Sequence, residues 1–262
     1  MQIINSLSFL SQKNSNELKH RIHQQNEKNH WWYKSRRFIL KCILGQIKSP
    51  DKRTVLEVGC GTGSNLKYLF NNYKKVIGMD NDSIALDYAK IDFSSDALFQ
   101  GDANSLNNLK SCYDLIAFLD VLYHENIKSV EDVIKQANNR LNNNGYLLLS
   151  EPAFNFLKGK HSETVQTKRR FTKHELEKII YRSGFKKIFI STYWGFTIFF
   201  LMLMKRRIFE PIFGTNLNSE GTDLFSIPVV DDVLFWLTRF ELKLIQEIKI
   251  PFGSSVVILA KK

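Results

Sequence analysis

From Arg53 to Glu151 the chain alternates short apolar runs with longer stretches whose apolar residues recur at helical spacing. The apolar runs are Thr54–Val58, Lys75–Asp80, Ala97–Gln100, Tyr113–Leu119 and Gly145–Glu151. Among the stretches between them, Ser64–Phe70, Ser83–Phe93 and Val130–Leu141 read as helices. Short β-rich runs separated by helices predict a parallel sheet with crossover helices. Ligands of such sheets sit beyond the carboxyl ends of the strands, so the loops after each run carry the chemistry.

The flanks extend this pattern. Ser15–Leu44 reads as one or two helices that contain Trp31-Trp32-Tyr33-Lys34-Ser35-Arg36-Arg37. Thr172 followed by Glu175 forms a capping box for a helix that stops near Ser183-Gly184. Lys187–Trp194 reads as a strand and Ser254–Leu259 as the last one. Roughly sixty residues separate these two, far more than a hairpin needs. That insertion holds the apolar run Gly195–Met204, then Lys205-Arg206-Arg207. It also holds an amphipathic segment with Val230, Val233, Leu234, Leu237, Leu244 and Ile248 at helical spacing.

The most informative segment is Val55-Leu56-Glu57-Val58-Gly59-Cys60-Gly61-Thr62-Gly63-Ser64-Asn65, a strand, a glycine turn and a helix start. Glycine lets the backbone turn tightly and lets a ligand approach without a Cβ in the way. A dinucleotide fingerprint wants G-x-G-x-x-G. Gly59 and Gly61 fit it, but Ser64 stands at the third position and Gly63 comes one residue early.

The E-x-G-x-G-x-G pattern from Glu57 to Gly63 resembles the first motif of the class I S-adenosylmethionine-dependent methyltransferases. In that family the loop wraps the methionine part of the cofactor. Further segments follow in the family's order. Val76-Ile77-Gly78-Met79-Asp80 resembles the second strand, whose acid meets the ribose hydroxyls. Gln100-Gly101-Asp102-Ala103 is similar to the third strand end, where the acid faces the adenine amino group. Tyr113–Leu119 with Asp120-Val121-Leu122-Tyr123-His124 resembles the fourth strand and the D-V-L-x-H stretch of small-molecule members. Asn142-Asn143-Asn144-Gly145 looks like the turn into the fifth strand.

The resemblance covers roughly residues 30–195 and the final strand. It implies S-adenosyl-L-methionine as cofactor, held by Glu57, Gly59, Cys60, Gly61, Gly63, Asp80, Asn81, Asp102, Ala103 and Leu119. The tryptophan-rich segment is similar to one that lies over the cofactor pocket in some bacterial members. That similarity adds Trp32 and Arg36, with Arg36 at the cofactor carboxylate. Each residue singly also has a structural reading: Asp80 as a turn acid, Asp102 as a helix cap, Asp114 as a loop acid, the tryptophans as packing. The implied fold is α/β, a doubly wound, mostly parallel, seven-stranded Rossmann-like sheet with one antiparallel strand. The expected organisation is a helical cap over 1–50, a core over 51–194 with 251–262, and a helical insertion over 195–250 that departs from the family pattern.

Methyl transfer is an in-line displacement at a sulfonium carbon, so the protein supplies placement and electrostatics. His124, just past the fourth strand, is the candidate general base for a hydroxyl acceptor. A pocket-shaping histidine is the alternative. Tyr123, Glu151 and His161 are further candidates, and Arg169 and Arg170 are candidate anion binders or plain surface cations. The expected acceptor is a small molecule, a sugar or a lipid-like compound. Amino-methylating nucleic-acid enzymes carry N-P-P-[YF] after strand four; Leu119-Asp120-Val121-Leu122 stands here and argues against a nucleic-acid acceptor. A non-catalytic scaffold of the same fold is the rival from another class. A nicotinamide dehydrogenase is a second, opposed by Ser64.

Composition adds limits. The 262 residues include Cys42, Cys60 and Cys112, odd in number and far apart, so neither a disulfide framework nor a metal knuckle is expected. No secretory leader is read at the N-terminus, and a cytoplasmic location is expected. The net charge of +11 fits an anionic partner surface or lysines scattered over a solvated one. Ile188 to Met204 carries no charged residue. Once the strand is taken out, about ten residues remain, too few to cross a bilayer. A lid over the pocket, a helix lying on an anionic membrane, and a dimer interface all stay open for this insertion.

Overall fold

The computed structural model describes residues 24, 26–158, 166–204, 228–247 and 250–262. His161, Lys205-Arg206-Arg207, Ile248 and the first 23 residues lie outside them, as do the side chains of Val230 and Leu244.

Seven strands form one sheet: β1 (Thr54–Val58), β2 (Lys75–Asp80), β3 (Leu98–Gln100), β4 (Tyr113–Leu119), β5 (Leu141–Pro152), β6 (Lys187–Trp194) and β7 (Ser255–Lys261). Their spatial order is β3-β2-β1-β4-β5-β7-β6. β1 to β5 are mutually parallel, and β7 runs antiparallel between β5 and β6. The central strands are buried on both faces, which is why β1, β4 and β7 read as continuous apolar runs.

Among the described residues, helices α1 (Trp31–Leu44), α2 (Ser64–Tyr68), α3 (Ser83–Ala89), α4 (Val130–Arg140), α5 (Lys173–Arg182), α6 (Phe196–Met204) and α7 (Pro228–Glu247) accompany the sheet. α1 packs Ile39, Leu40, Ile43 and Leu44 against one face of the sheet, with Leu66, Phe70 and Leu86 beside them. α4 and α5 cover the other face through Val133, Ile134, Ala137, Leu176 and Ile180. The capping box at Thr172 and Glu175 forms as expected, and Gly184 leaves α5 at φ +91°.

The insertion contributes α6 and α7, and α7 lies along α1, where Phe235 meets Phe38 at 6.2 Å. Its amphipathic pattern holds in part: Leu234 and Leu237 are half-buried, but Val233 is exposed, whereas Asp231, Thr238 and Glu241 are buried. The reason is polar demand beneath the helix: a Glu241 oxygen accepts from Phe196 N at 2.8 Å and so caps α6.

Candidate active site

The strand register brings the ends of β1, β2 and β4 level, with Val58 opposite both Met79 and Phe118, and puts Asp80 opposite Gln100. The chain leaves β1 through Gly59, Gly61 and Gly63, all with positive φ. Two of these glycines do different jobs. A Cβ on Gly59 would come within 2.5 Å of Val121 Cγ2, so its absence lets the loop after β4 close in. A Cβ on Gly61, at φ +54°, would meet nothing within 4 Å, so this face of the loop is open.

The loop amides are largely used inside the protein. Gly59 N and Cys60 N donate to Met79 O at 2.7 and 3.0 Å, and Gly63 N donates to Cys60 O at 3.0 Å. Gly61 N donates to Asp80 Oδ2 at 2.7 Å. A phosphate cradle keeps such amides for the anion. This loop instead offers a contoured, open surface beside a half-buried carboxylate, which suits an uncharged nucleoside edge better than a pyrophosphate. Asp80 Oδ1 accepts from Asp82 N at 2.9 Å, and each oxygen keeps a lone pair for a ligand hydroxyl.

Asn81 is exposed next to Asp80, and its carbonyl accepts from Gln100 Nε2 at 3.0 Å. Asp102 is exposed and caps the short turn Ala103–Asn108 by accepting from Asn104 N at 2.9 Å. Ala103 is half-buried, whereas Leu119 and Cys60 are buried. Burial pushes the Cys60 thiol up, so it packs rather than reacts. Asp114 is structural: its carboxylate accepts from Thr54 N at 2.8 Å and from Asn142 Nδ2 at 2.9 Å.

Glu57 is wholly buried. One oxygen accepts from Asn65 Nδ2 at 2.7 Å, and the other has no partner. Burial pushes its carboxyl up to about 8 against the pull of Asn65 and Arg36. Thr62 in the loop donates its hydroxyl to Glu27 Oε2 at 2.5 Å, and Arg37 holds the carbonyls of Glu27 and Lys28. The segment before α1 is thereby clipped onto the glycine loop.

Arg36 belongs to the buried side of α1 and forms an ion pair with Asp120. The resemblance expects it at a ligand carboxylate; within the protein its partner is the Asp120 carboxylate. Its guanidinium lies 4.9 Å from the Trp32 ring and 5.4 Å from the Tyr33 ring. Trp32 is half-buried and meets Trp194 of β6 at 5.8 Å. Asp120 stands immediately after β4 at φ +61°, a conformation asparagine and aspartate tolerate best. Burial pushes its carboxyl upward, opposed by Arg36, His124 and Arg170.

His124 is half-buried, stacks on Tyr123 at 4.2 Å and pairs with Thr167 in an isolated bridge. Glu151, at the end of β5, is wholly buried and accepts from Val121 N at 3.1 Å and Leu122 N at 2.9 Å. Burial and nearby Asp120 push it well above the carboxylate range. It therefore positions the turn that carries Asp120, Tyr123 and His124. Arg169 donates to Ile127 O at 3.2 Å, and buried Arg170 donates to Ala153 O at 3.3 Å, so both serve the loops around them. Phe154, Phe156, Tyr193 and Phe199 build an aromatic wall between β5, β6 and α6, with Phe154 to Tyr193 at 5.0 Å and Phe156 to Phe199 at 6.0 Å.

Asp120 and the aromatic wall are the parts that residue patterns missed. Asp120 had a signal, since an acid ends the apolar run of β4, but its partner lies 84 residues away. The aromatic wall has none in local spacing.

Comparison with known proteins agrees with this architecture. The tRNA U34 carboxymethyltransferase of Pseudoalteromonas atlantica is 31% identical over 116 residues, covering 41% of this chain and 34% of that protein. The chain thus aligns with about a third of the length of this curated relative. A Thermotoga maritima S-adenosylmethionine-dependent methyltransferase superposes with a TM-score of 0.55 at 18% identity, over 93% of this chain and 97% of that one. Haemonchus contortus phosphoethanolamine N-methyltransferase 2, solved with S-adenosyl-L-methionine, superposes with a TM-score of 0.53 at 16% identity, over 87% of this chain and 52% of that one. The sequence profile of the methyltransferase domain matches residues 31–188, from the start of α1 into β6. With that match over more than half its length, on a sheet of the same fold, the chain belongs to the methyltransferase domain family, the S-adenosylmethionine-dependent methyltransferases.

Proposed function

We propose that the protein transfers a methyl group from S-adenosyl-L-methionine to a small-molecule, sugar or lipid-like acceptor. The observation that carries this reading is the open face of Gly61 beside the half-buried Asp80 carboxylate, in a loop whose amides are already used. Asp80 would hold the ribose hydroxyls, and Asn81, Asp102 and Ala103 would flank the adenine. Glu57, Gly59, Cys60, Gly61, Gly63 and Leu119 would shape the floor, and Trp32 would cover the methionyl end. Arg36 would reach that end only by sharing its guanidinium with Asp120.

The bound cofactor supplies an electrophilic methyl carbon on a sulfonium. The chain's own work is placement: the β4 turn, anchored by Glu151, orients His124, and the aromatic wall excludes water. With a hydroxyl acceptor, an imidazole nitrogen of His124 would take the hydroxyl proton as the oxygen bonds to the methyl carbon and the methyl–sulfur bond breaks, its electrons staying on sulfur as a neutral thioether.

Calorimetric titration with S-adenosylhomocysteine, with NADH as control, tests the cofactor site. Parent protein binds the first alone. Asp80→Ala weakens that binding by about 1–3 kcal/mol through lost hydrogen bonds. Unchanged affinity in the variant would remove Asp80 from the site.

An RNA acceptor is the second reading, favoured by the similarity to the tRNA enzyme and by the +11 charge. Incubating bulk tRNA with protein and methyl-labelled cofactor decides it, since label in the RNA would replace the small-molecule acceptor.

A further inference from the structure

Part of the insertion's apolar surface is turned outward, although Leu234, Phe235 and Leu237 are half-buried. Among the described side chains of α7, the buried ones are Asp231, Thr238 and Glu241, while Val233, Trp236 and Phe240 face outward. Trp236 is 63% exposed and stacks on Phe240 at 6.2 Å. On α6, Phe200, Leu201 and Met204 are exposed, Leu201 at 49%, and Thr197 is the only polar residue of that helix. The two helices are joined where Glu241 caps α6. In water the hydrophobic effect covers aromatic side chains first. A built, capped element that presents a row of them outward marks a docking face.

Charge selects the occupant. The chain carries +11, Arg239 is exposed on α7 between Trp236 and Phe240, and the sequence runs from α6 directly into Lys205-Arg206-Arg207. A second copy would bring another +11 against the first, which opposes self-association. Among the described residues no helix is long and apolar enough to cross a membrane, so these helices can lie on a bilayer but not span it. We propose that the outer face of α6 and α7 docks on an anionic lipid bilayer, with Phe200, Leu201, Trp236 and Phe240 entering the acyl boundary and the net positive charge of the chain selecting anionic headgroups. This docking does not rest on the acceptor's identity. It would place the aromatic wall, of which α6's Phe199 is part, next to the lipid surface.

The test is flotation of the full chain with vesicles of phosphatidylcholine plus phosphatidylglycerol, and with phosphatidylcholine alone. The parent floats with the anionic vesicles and much less with the neutral ones, and added salt weakens the association. The double variant Trp236→Ser, Phe240→Ser loses about tenfold or more of the partitioning. Because both side chains are exposed, its thermal unfolding matches the parent, which separates lost docking from lost fold. In a second set, Lys205→Glu, Arg206→Glu and Arg207→Glu together abolish the preference for anionic vesicles. Brominated lipids quench tryptophan fluorescence in the parent and not in Trp236→Phe. Equal flotation of parent and double variant, or no flotation of the folded parent, overturns the proposal. A dimer seen by light scattering that the double variant dissolves also overturns it, by giving the face to a second copy.

Discussion

Glu57→Gln isolates one buried proton. The Glu57 carboxyl has a single hydrogen bond, from Asn65, and burial pushes it from an ordinary 4.5 up to about 8. The unfolded chain releases this proton near 4.5, and the folded chain keeps it until about 8. A raised folded value contributes stability that is fully present below 4.5 and is lost as pH climbs through 8. At about 1.4 kcal/mol per pH unit, keeping the proton at pH 7 costs on the order of 3 kcal/mol relative to pH 4.5. Glutamine has the shape of the protonated acid and carries no such cost. The variant therefore unfolds at the parent's denaturant concentration near pH 4.5 and is more stable at pH 7 by about 3 kcal/mol. Its stability also changes less between those pH values. Urea unfolding at several pH values reads both quantities. A variant less stable than the parent at pH 7, with the parent's pH slope retained, would refute the reasoning. Glu57 would then be ionised and held by Arg36.

The two loop glycines separate fold from binding. Gly59→Ala drives a methyl onto Val121 at φ +73° and costs about 3 kcal/mol of stability. Gly61→Ala meets no protein atom, costs about 1–2 kcal/mol for its left-handed backbone, and cuts S-adenosylhomocysteine affinity by about tenfold or more because the methyl fills the open face. Equal effects of the two on melting and binding would contradict the assignment. Arg36→Met leaves Asp120 without its buried partner and costs about 3 kcal/mol at neutral pH by chemical denaturation. That deficit shrinks as pH falls and the carboxyl protonates; a loss below 1 kcal/mol would show the pair to be dispensable. His124→Ala lowers turnover by about a hundredfold or more on a hydroxyl acceptor while leaving S-adenosylhomocysteine binding intact. Unchanged turnover leaves His124 a pocket-shaping residue.

Much of the architecture is legible in the pattern of residues. Parallel strands buried inside the sheet need continuous apolar runs, and β1, β2 and β4 match the expected runs end to end; the half-exposed edge strand β6 also keeps its expected bounds. The cap at Thr172 and Glu175 and the stop at Gly184 are local chemistry, so local residues reveal them. The glycine turn was legible for the same reason: left-handed backbone calls for glycine wherever it occurs. That one strand runs antiparallel came through family resemblance; that it is β7, placed between β5 and β6, only the structure decides, because pairing order is not a local property.

The sequence by itself determined the kind of sheet, the loops that face a ligand, and the residues eligible to hold one. Tertiary structure alone decided which partners those residues have inside the protein. Arg36 pairs with Asp120 across 84 residues, so a residue eligible for a ligand is also held by the protein itself. Glu57 keeps its proton because the fold removes it from water and supplies one hydrogen bond where an ionised carboxylate needs several. α7 turns Asp231 and Glu241 inward and Trp236 outward, with Glu241 capping α6; period alone points to Leu234 and Leu237, which are half-buried, but not to these polar residues. Periodicity reports which face of an element is apolar. Only packing decides which face is buried, since that depends on the polar groups the neighbouring elements leave to be satisfied.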